Sequence, residues 1–242
     1  MAIPAQPSAP HGCPYSSSDG TPHVAQFHRL HPAMLSGVAG MVDVIGFLTL
    51  GLFTAHVTGN LVVIAALPVR GGPPNIAQIL AVPVFMAAVA AVWLIAKVSN
   101  RRGPVLAKLL LAVHFLLLIC VLILSVVYNP AVHPHGLMAT IAAMMAVSAM
   151  ACQFALLRLA VPGATSTAVM TGNLTSGVLS LLDTLSRGEP LIEGSKERLR
   201  KTTELVIGFC SGCVVGAAAV SWLGSWAWSL PAALAGLAMA LR

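Results

Sequence analysis

The chain has 242 residues, of which 57% are hydrophobic and only 8% charged, with a formal charge of +6. A soluble domain carries about 25% charged residues, so water is not the main solvent of this protein and a water-soluble globular domain is excluded. The surplus of Lys and Arg fits the basic loops of a membrane protein better than a nucleic-acid partner.

Residues 1–32 are rich in Pro, Ser and His and lack the apolar stretch of a secretory signal. They are expected to form a disordered cytoplasmic tail. His11, His23, His28 and His31 share no fixed ligand spacing, so no metal is expected there. Residues 33–242 form one transmembrane domain with expected full spans at 34–53, 76–97, 107–128, 137–158, 204–222 and 225–241, each near the ~20 residues that cross a bilayer.

Two shorter apolar runs lie between spans. After the first comes "TAHVTGNL" (Thr54–Leu61), and after the fourth "TAVMTGNL" (Thr167–Leu174), identical at six of eight positions and 113 residues apart. The run from Leu61 to Val69 is only about 13 Å long as a helix, and Pro68 with Gly71-Gly72-Pro73-Pro74 closes it. If both runs enter and leave on one side, every Lys and Arg except Arg70 falls on the face that holds the N-terminus. If both cross, the clusters at 97–108 and 187–201 land on opposite faces, against the positive-inside tendency. The expected fold is therefore all-α and polytopic: about six transmembrane helices plus two re-entrant or broken helices, in an inverted repeat (about 33–103 and 137–224). Both termini are then cytoplasmic. Inverted repeats with broken helices recur in transporters.

Irregular backbone at membrane depth must be buried in protein or line a wet cavity. Gly59 and Gly172 permit unusual backbone angles or close approach. Asn60 and Asn173 can accept a backbone N–H at a helix start, and Thr58 and Thr171 can satisfy freed carbonyls. Two such breaks entering from opposite faces would meet near the membrane centre, as a solute site or as packing between the repeats. Asp43 is the only carboxylate well inside a span. Such a group is costly in a membrane and points to function: proton coupling, cation binding, an ion pair with Arg158, or a neutral hydrogen-bonded carboxyl between helices. A weaker alignment sets Asp43 opposite Gln153. His56 titrates near neutrality and is read as a proton relay or as a capping residue, whereas His114 reads as a core histidine.

Gly208, Gly212 and Gly216 make a smooth stripe on the fifth span, for an interface within the fold or in a homo-oligomer. Trp222, Trp226 and Trp228, with Tyr128, suggest an aromatic belt. Cys210 and Cys213 lie in a buried apolar helix and read as small apolar residues. No catalytic triad, phosphate loop or zinc motif occurs, so neither an enzyme nor a cofactor or metal is expected.

The stretches "GMVDVIGFLTLGLFTAHVTGN" (Gly40–Asn60) and "TAVMTGNLT" (Thr167–Thr175) resemble the YoaK family of small bacterial inner-membrane proteins, grouped under a domain of unknown function, over about 34–240. A Gln-Asn-Ala step frequent in that family stands here as Gln153-Phe154-Ala155. The resemblance implies a six-span inner-membrane protein and supplies no substrate. The functional expectation is a transporter or facilitator of a small solute or ion. Its site is expected at Asp43, His56, Thr58, Gly59, Asn60, Gln153, Thr171, Gly172 and Asn173. The alternative is a non-transporting membrane scaffold that docks a partner through the Gly208 stripe.

Overall fold

The computed structural model describes residues 32–71, 75–99, 103–133, 135–160, 167, 170–186 and 194–241. The tail expected at 1–32, with its histidines and Cys13, lies outside them except for Pro32. That residue opens the first helix, as the fixed φ of proline suits a helix start.

In chain order the helices are α1 (Pro32–Leu50), α2 (Val57–Arg70), α3 (Ile76–Val98), α4 (Gly103–Tyr128), α5 (Leu137–Leu159), α6 (Met170–Leu185), α7 (Ser195–Leu223) and α8 (Ser229–Ala240). A 3-10 turn, Gly224–Trp228, joins the last two. Among the described residues there is no strand. Five stretches are long and apolar enough to cross a membrane: α1, α3, α4, α5 and the run from Ser195 to Ala240. The span expected at 225–241 is thus not a single long helix. The turn and α8 together rise about 28 Å, still close to a bilayer core. Serine 225 donates its hydroxyl to Asn129 at the end of α4 (2.9 Å). Ala238 packs with Leu35, Val92, Leu106 and Leu156 at the other end of the molecule.

Contacts at the helix ends decide how the two short helices run. The Asn75 side chain donates to the Leu50 carbonyl (3.3 Å) and that of Gln78 to the Gly51 carbonyl (2.7 Å), so α3 starts where α1 stops. Whatever lies between, α2 included, leaves and returns on one side. Helix α7 runs parallel to α1: Gly208 faces Ala33, Gly212 faces Gly37 and Gly216 faces Met41. Since α3, α4 and α5 each cross once, α5 ends on the side where α1 begins, which the Leu35–Leu156 cluster confirms. A parallel α7 must start on that same side. Helix α6 therefore also leaves and returns on one side, opposite to α2.

The helix pairings carry the same two-fold relation. Helix α1 packs on α7 as α5 packs on α3, α2 on α3 as α6 on α7, and α1 on α8 as α5 on α4, while α1–α5 and α4–α8 are self-matched. The relation therefore takes in α4 and α8, beyond the two three-helix units that the repeated octapeptide marks.

The seam between α1 and α7 is the closest in the molecule. A methyl group on Gly208 would collide with the Ala33 carbonyl, one on Gly212 with the Gly37 carbonyl, and one on Gly40 with the Phe209 carbonyl. The Gly208–Gly212–Gly216 stripe is buried there, so it serves packing within the fold. Lipid supplies little hydrophobic force between helices, and close van der Waals approach takes its place. One local expectation also changes. Trp228 is fully buried and belongs to the core rather than to an aromatic belt, whereas Trp222 and Trp226 remain exposed. His114 is a core histidine as expected, with Nδ1 2.8 Å from the Ala149 carbonyl.

The opposed courses of α2 and α6 predict that Val69→Cys and Leu185→Cys react with an impermeant thiol reagent from opposite faces of the membrane. Labelling of both from one face would remove the two-fold arrangement. At the seam, Gly212→Ala should lower stability by about 1–3 kcal/mol through overpacking, read as a fall in the unfolding midpoint in detergent. An unchanged midpoint would mean that α1 and α7 are not held this closely.

Candidate functional site: the Asp43 clasp

Helix α1 ends because Gly51 takes φ +72°, a turn that side-chain-bearing residues resist. Residues 51–56 then fold back along α1. Gly46 makes room for this return, since a methyl there would lie 2.7 Å from the Thr54 methyl. The returning loop has no ladder of its own, and its backbone groups must find partners inside the protein.

Asp43 meets three consecutive N–H groups of the loop. Its Oδ1 accepts the N–H groups of Thr54 (2.8 Å), Ala55 (2.9 Å) and His56 (3.3 Å), and its Oδ2 lies 2.7 Å from His56 Nδ1. The carboxylate is 5% exposed, while the His56 side chain keeps 32% of its surface open and meets the Phe209 ring edge-on at 5.2 Å. Asn60 completes the loop: its Oδ1 accepts the Phe53 N–H (2.8 Å) and its Nδ2 donates to the Phe53 carbonyl (2.7 Å). The Phe53 ring lies against Gly59, where a methyl would be 3.0 Å from it, and stacks on Phe47. Asp43, His56, Gly59 and Asn60 thus form one assembly.

Several expectations about the Thr-Gly-Asn step need correction. The step is not the helix break. Thr58, Gly59 and Asn60 lie in the first turn of α2, and Thr171, Gly172 and Asn173 in that of α6. The break is the six-residue loop ahead of α2, and Gly59 has no positive φ. Asn60 does accept a backbone N–H, but from the loop rather than from the helix start. Thr58, Thr171 and Gly172 face outward, while Asn173 is buried. Among the described residues α2 and α6 pack on α3 and α7 respectively and not closely on each other. Arg158 is exposed at the end of α5, and the ionisable partner of Asp43 is His56 instead.

Gln153 stands apart. Its Nε2 donates to the Leu35 carbonyl (2.9 Å) and lies 3.5 Å from the Thr167 hydroxyl. Leu35 is eight residues before Asp43, about 12 Å along α1. Gln153 nonetheless repeats the role of Asp43, for each reaches from the first helix of its unit to the Thr that opens the octapeptide. The sequence reading missed Asn75 and Gln78, which tie α3 to the end of α1. Their only trace in sequence is the Asn-x-x-Gln step before the apolar run, which resembles a capping pattern. Asn75 indeed accepts the Ala77 N–H at 2.9 Å.

Among the described residues no group of His, Cys, Asp and Glu is arranged to hold a metal. Cys213 contacts the Gly40 carbonyl across the α1–α7 seam (Sγ to O, 3.7 Å), whereas Cys210 is exposed.

These features define an all-α polytopic membrane protein with two opposed re-entrant helices, one of them clasped by a buried carboxylate and an imidazole. A family model described as a protein of unknown function, DUF1275, matches residues 32–241, and the chain belongs to that family. Comparison with curated proteins and with solved structures gives no match.

Asp43→Ala would leave three N–H groups without an acceptor, at roughly 1–3 kcal/mol for each that stays buried. It should therefore lower the unfolding midpoint far more than Asp43→Asn, which retains an acceptor oxygen. Equal effects of the two substitutions would show that the clasp does not hold the loop.

Proposed function

We propose that this protein carries a small solute or ion across the membrane and that the Asp43–His56 pair is its coupling element. The observation that carries this reading is the 2.7 Å carboxylate–imidazole contact at the point where α1 folds back into α2. Asp43 lies about 17 Å along α1, near the middle of a span, where an ionisable pair is costly and marks ion or proton pathways. His56 changes charge between pH 5 and 8 in ordinary surroundings, and its partial exposure gives the pair a route to water or solute. The opposed re-entrant helices are the second support, because alternating access in inverted repeats rocks one unit against the other. Thr58 lies exposed two residues beyond His56, and Asn60 holds the Phe53 backbone beside the pair, while Thr171, Gly172, Asn173 and Gln153 belong to the opposed unit.

The protein is read as non-enzymatic, in a bacterial inner membrane, with the closer likeness to the YoaK group. Lys97, Lys108, Arg158, Lys196, Arg198, Arg200 and Lys201 sit at helix ends on the side where α1 begins, and Arg70 on the other. The positive-inside tendency makes that basic side cytoplasmic. A membrane scaffold without transport activity is the competing reading, though the glycine stripe on which it rests is engaged within the fold at the α1–α7 seam.

Purified protein in liposomes that hold a pH-sensitive dye, driven by a potassium diffusion potential, gives the test. Flux above that of empty liposomes, lost in Asp43→Asn without loss of folded protein, is the expected outcome. Flux that survives the substitution makes Asp43 structural. No flux, together with a stoichiometric partner on purification, would establish the scaffold.

A further inference from the structure

On the far side of α1 from the clasp, a cavity of about 740 Å³ opens between α1, α7 and α8. Its lining changes along its length. At one end stand Lys196, Arg200 and Thr203, and beyond Glu204 the wall is Ile207, Val215 and Met41, with the seam glycines forming its floor. We propose that this groove holds one anionic phospholipid of the cytoplasmic leaflet, its phosphate between Lys196 and Arg200 and an acyl chain along α7 toward Val215.

Three observations fix the occupant. The first is charge. Lys201 is engaged by Glu197 at 2.7 Å, but Lys196 and Arg200 are four residues apart on the groove side, about 6 Å in rise. Their spacing suits a phosphate, which arginine engages with paired donors. Glu204, 4.0 Å from Arg200 Nε, lies one turn deeper, so the three groups together stay positive and disfavour a headgroup with no net charge. The second is length. From Glu204 to Val215 α7 rises about 16 Å, the depth of one leaflet of a 30 Å core. The third is chemistry. The groove is apolar below its charged mouth, and its volume falls in the range of sites that bury a whole small ligand. An extended stretch of peptide would bring backbone N–H groups that this wall of hydrocarbon and closely packed helix backbone cannot satisfy.

Delipidated protein in a neutral detergent provides the test. Unfolding midpoints are taken with phosphatidylglycerol, with phosphatidylethanolamine and with inorganic phosphate, and retained lipid is counted by native mass spectrometry. Phosphatidylglycerol should raise the midpoint and remain bound as a single molecule, while the other two should leave the midpoint unchanged. Lys196→Gln with Arg200→Gln should weaken phosphatidylglycerol binding about tenfold or more, and Val215→Trp should displace the acyl chain without altering the lipid-free midpoint. Should the double variant fold poorly, the exposed Lys196→Gln alone serves. Equal shifts with both lipids would mean ordinary boundary lipid and overturn the proposal. So would a full response to phosphate alone, which marks a free-anion site, or a lipid-free dimer, in which a second copy fills the groove.

Discussion

The grip of Asp43 on the backbone of residues 54–56 is the constraint on which the rest of the arrangement depends. In a membrane every N–H that leaves a helix must be met by protein, and the loop that turns α1 back on itself exposes several at once. One carboxylate oxygen meets three of them, and the other oxygen is left for His56. Because the loop returns along α1, the helix that follows cannot continue across. It starts at the depth of Asp43 and comes back to the side where α3 begins.

A carboxylate in a span is costly when unpaired and useful when paired, and here one group does both jobs. Its backbone contacts explain why an acceptor oxygen is needed at this position. Its contact with His56 places a titratable pair beside the hinge between a crossing helix and a half-helix. A change in the charge or position of His56 would be felt through the shared carboxylate by the loop itself. That link is the physical basis of the coupling role proposed for the clasp. The unit carrying Gln153 has a neutral side chain at the matching place, so the two halves share an architecture but not an electrostatic character.

Two helix contacts of different kind frame this hinge. The α1–α7 seam is held by backbone touching backbone, with glycines where any side chain would collide. Such a seam holds α1 closely, whereas α2 and α6 bury only two side chains each within the protein, Val57 and Asn60 in one and Asn173 and Ser180 in the other. The groove beside the seam exposes the same helices to lipid, so a bound phospholipid would bear on the helix that carries Asp43.

Much of this architecture was legible in the sequence. Long apolar runs fix where helices cross, and the distribution of Lys and Arg fixes which short runs do not, because both follow from transfer energies that act residue by residue. The repeated octapeptide and the lone carboxylate at 43 likewise announced two related units and one unusual residue. Tertiary structure alone decided what these features do. Whether Asp43 meets Arg158 or His56, whether the Gly208 stripe faces inward or outward, and whether the two Thr-Gly-Asn steps meet all depend on how helices distant in sequence are brought side by side. No local pattern encodes that. The helix break itself is the loop 51–56, ahead of the expected Thr58-Gly59-Asn60 step, since its cause is not a weak helix former in the step but the turn at Gly51 together with a carboxylate about two turns before the end of α1, which rewards the backbone for leaving the helix.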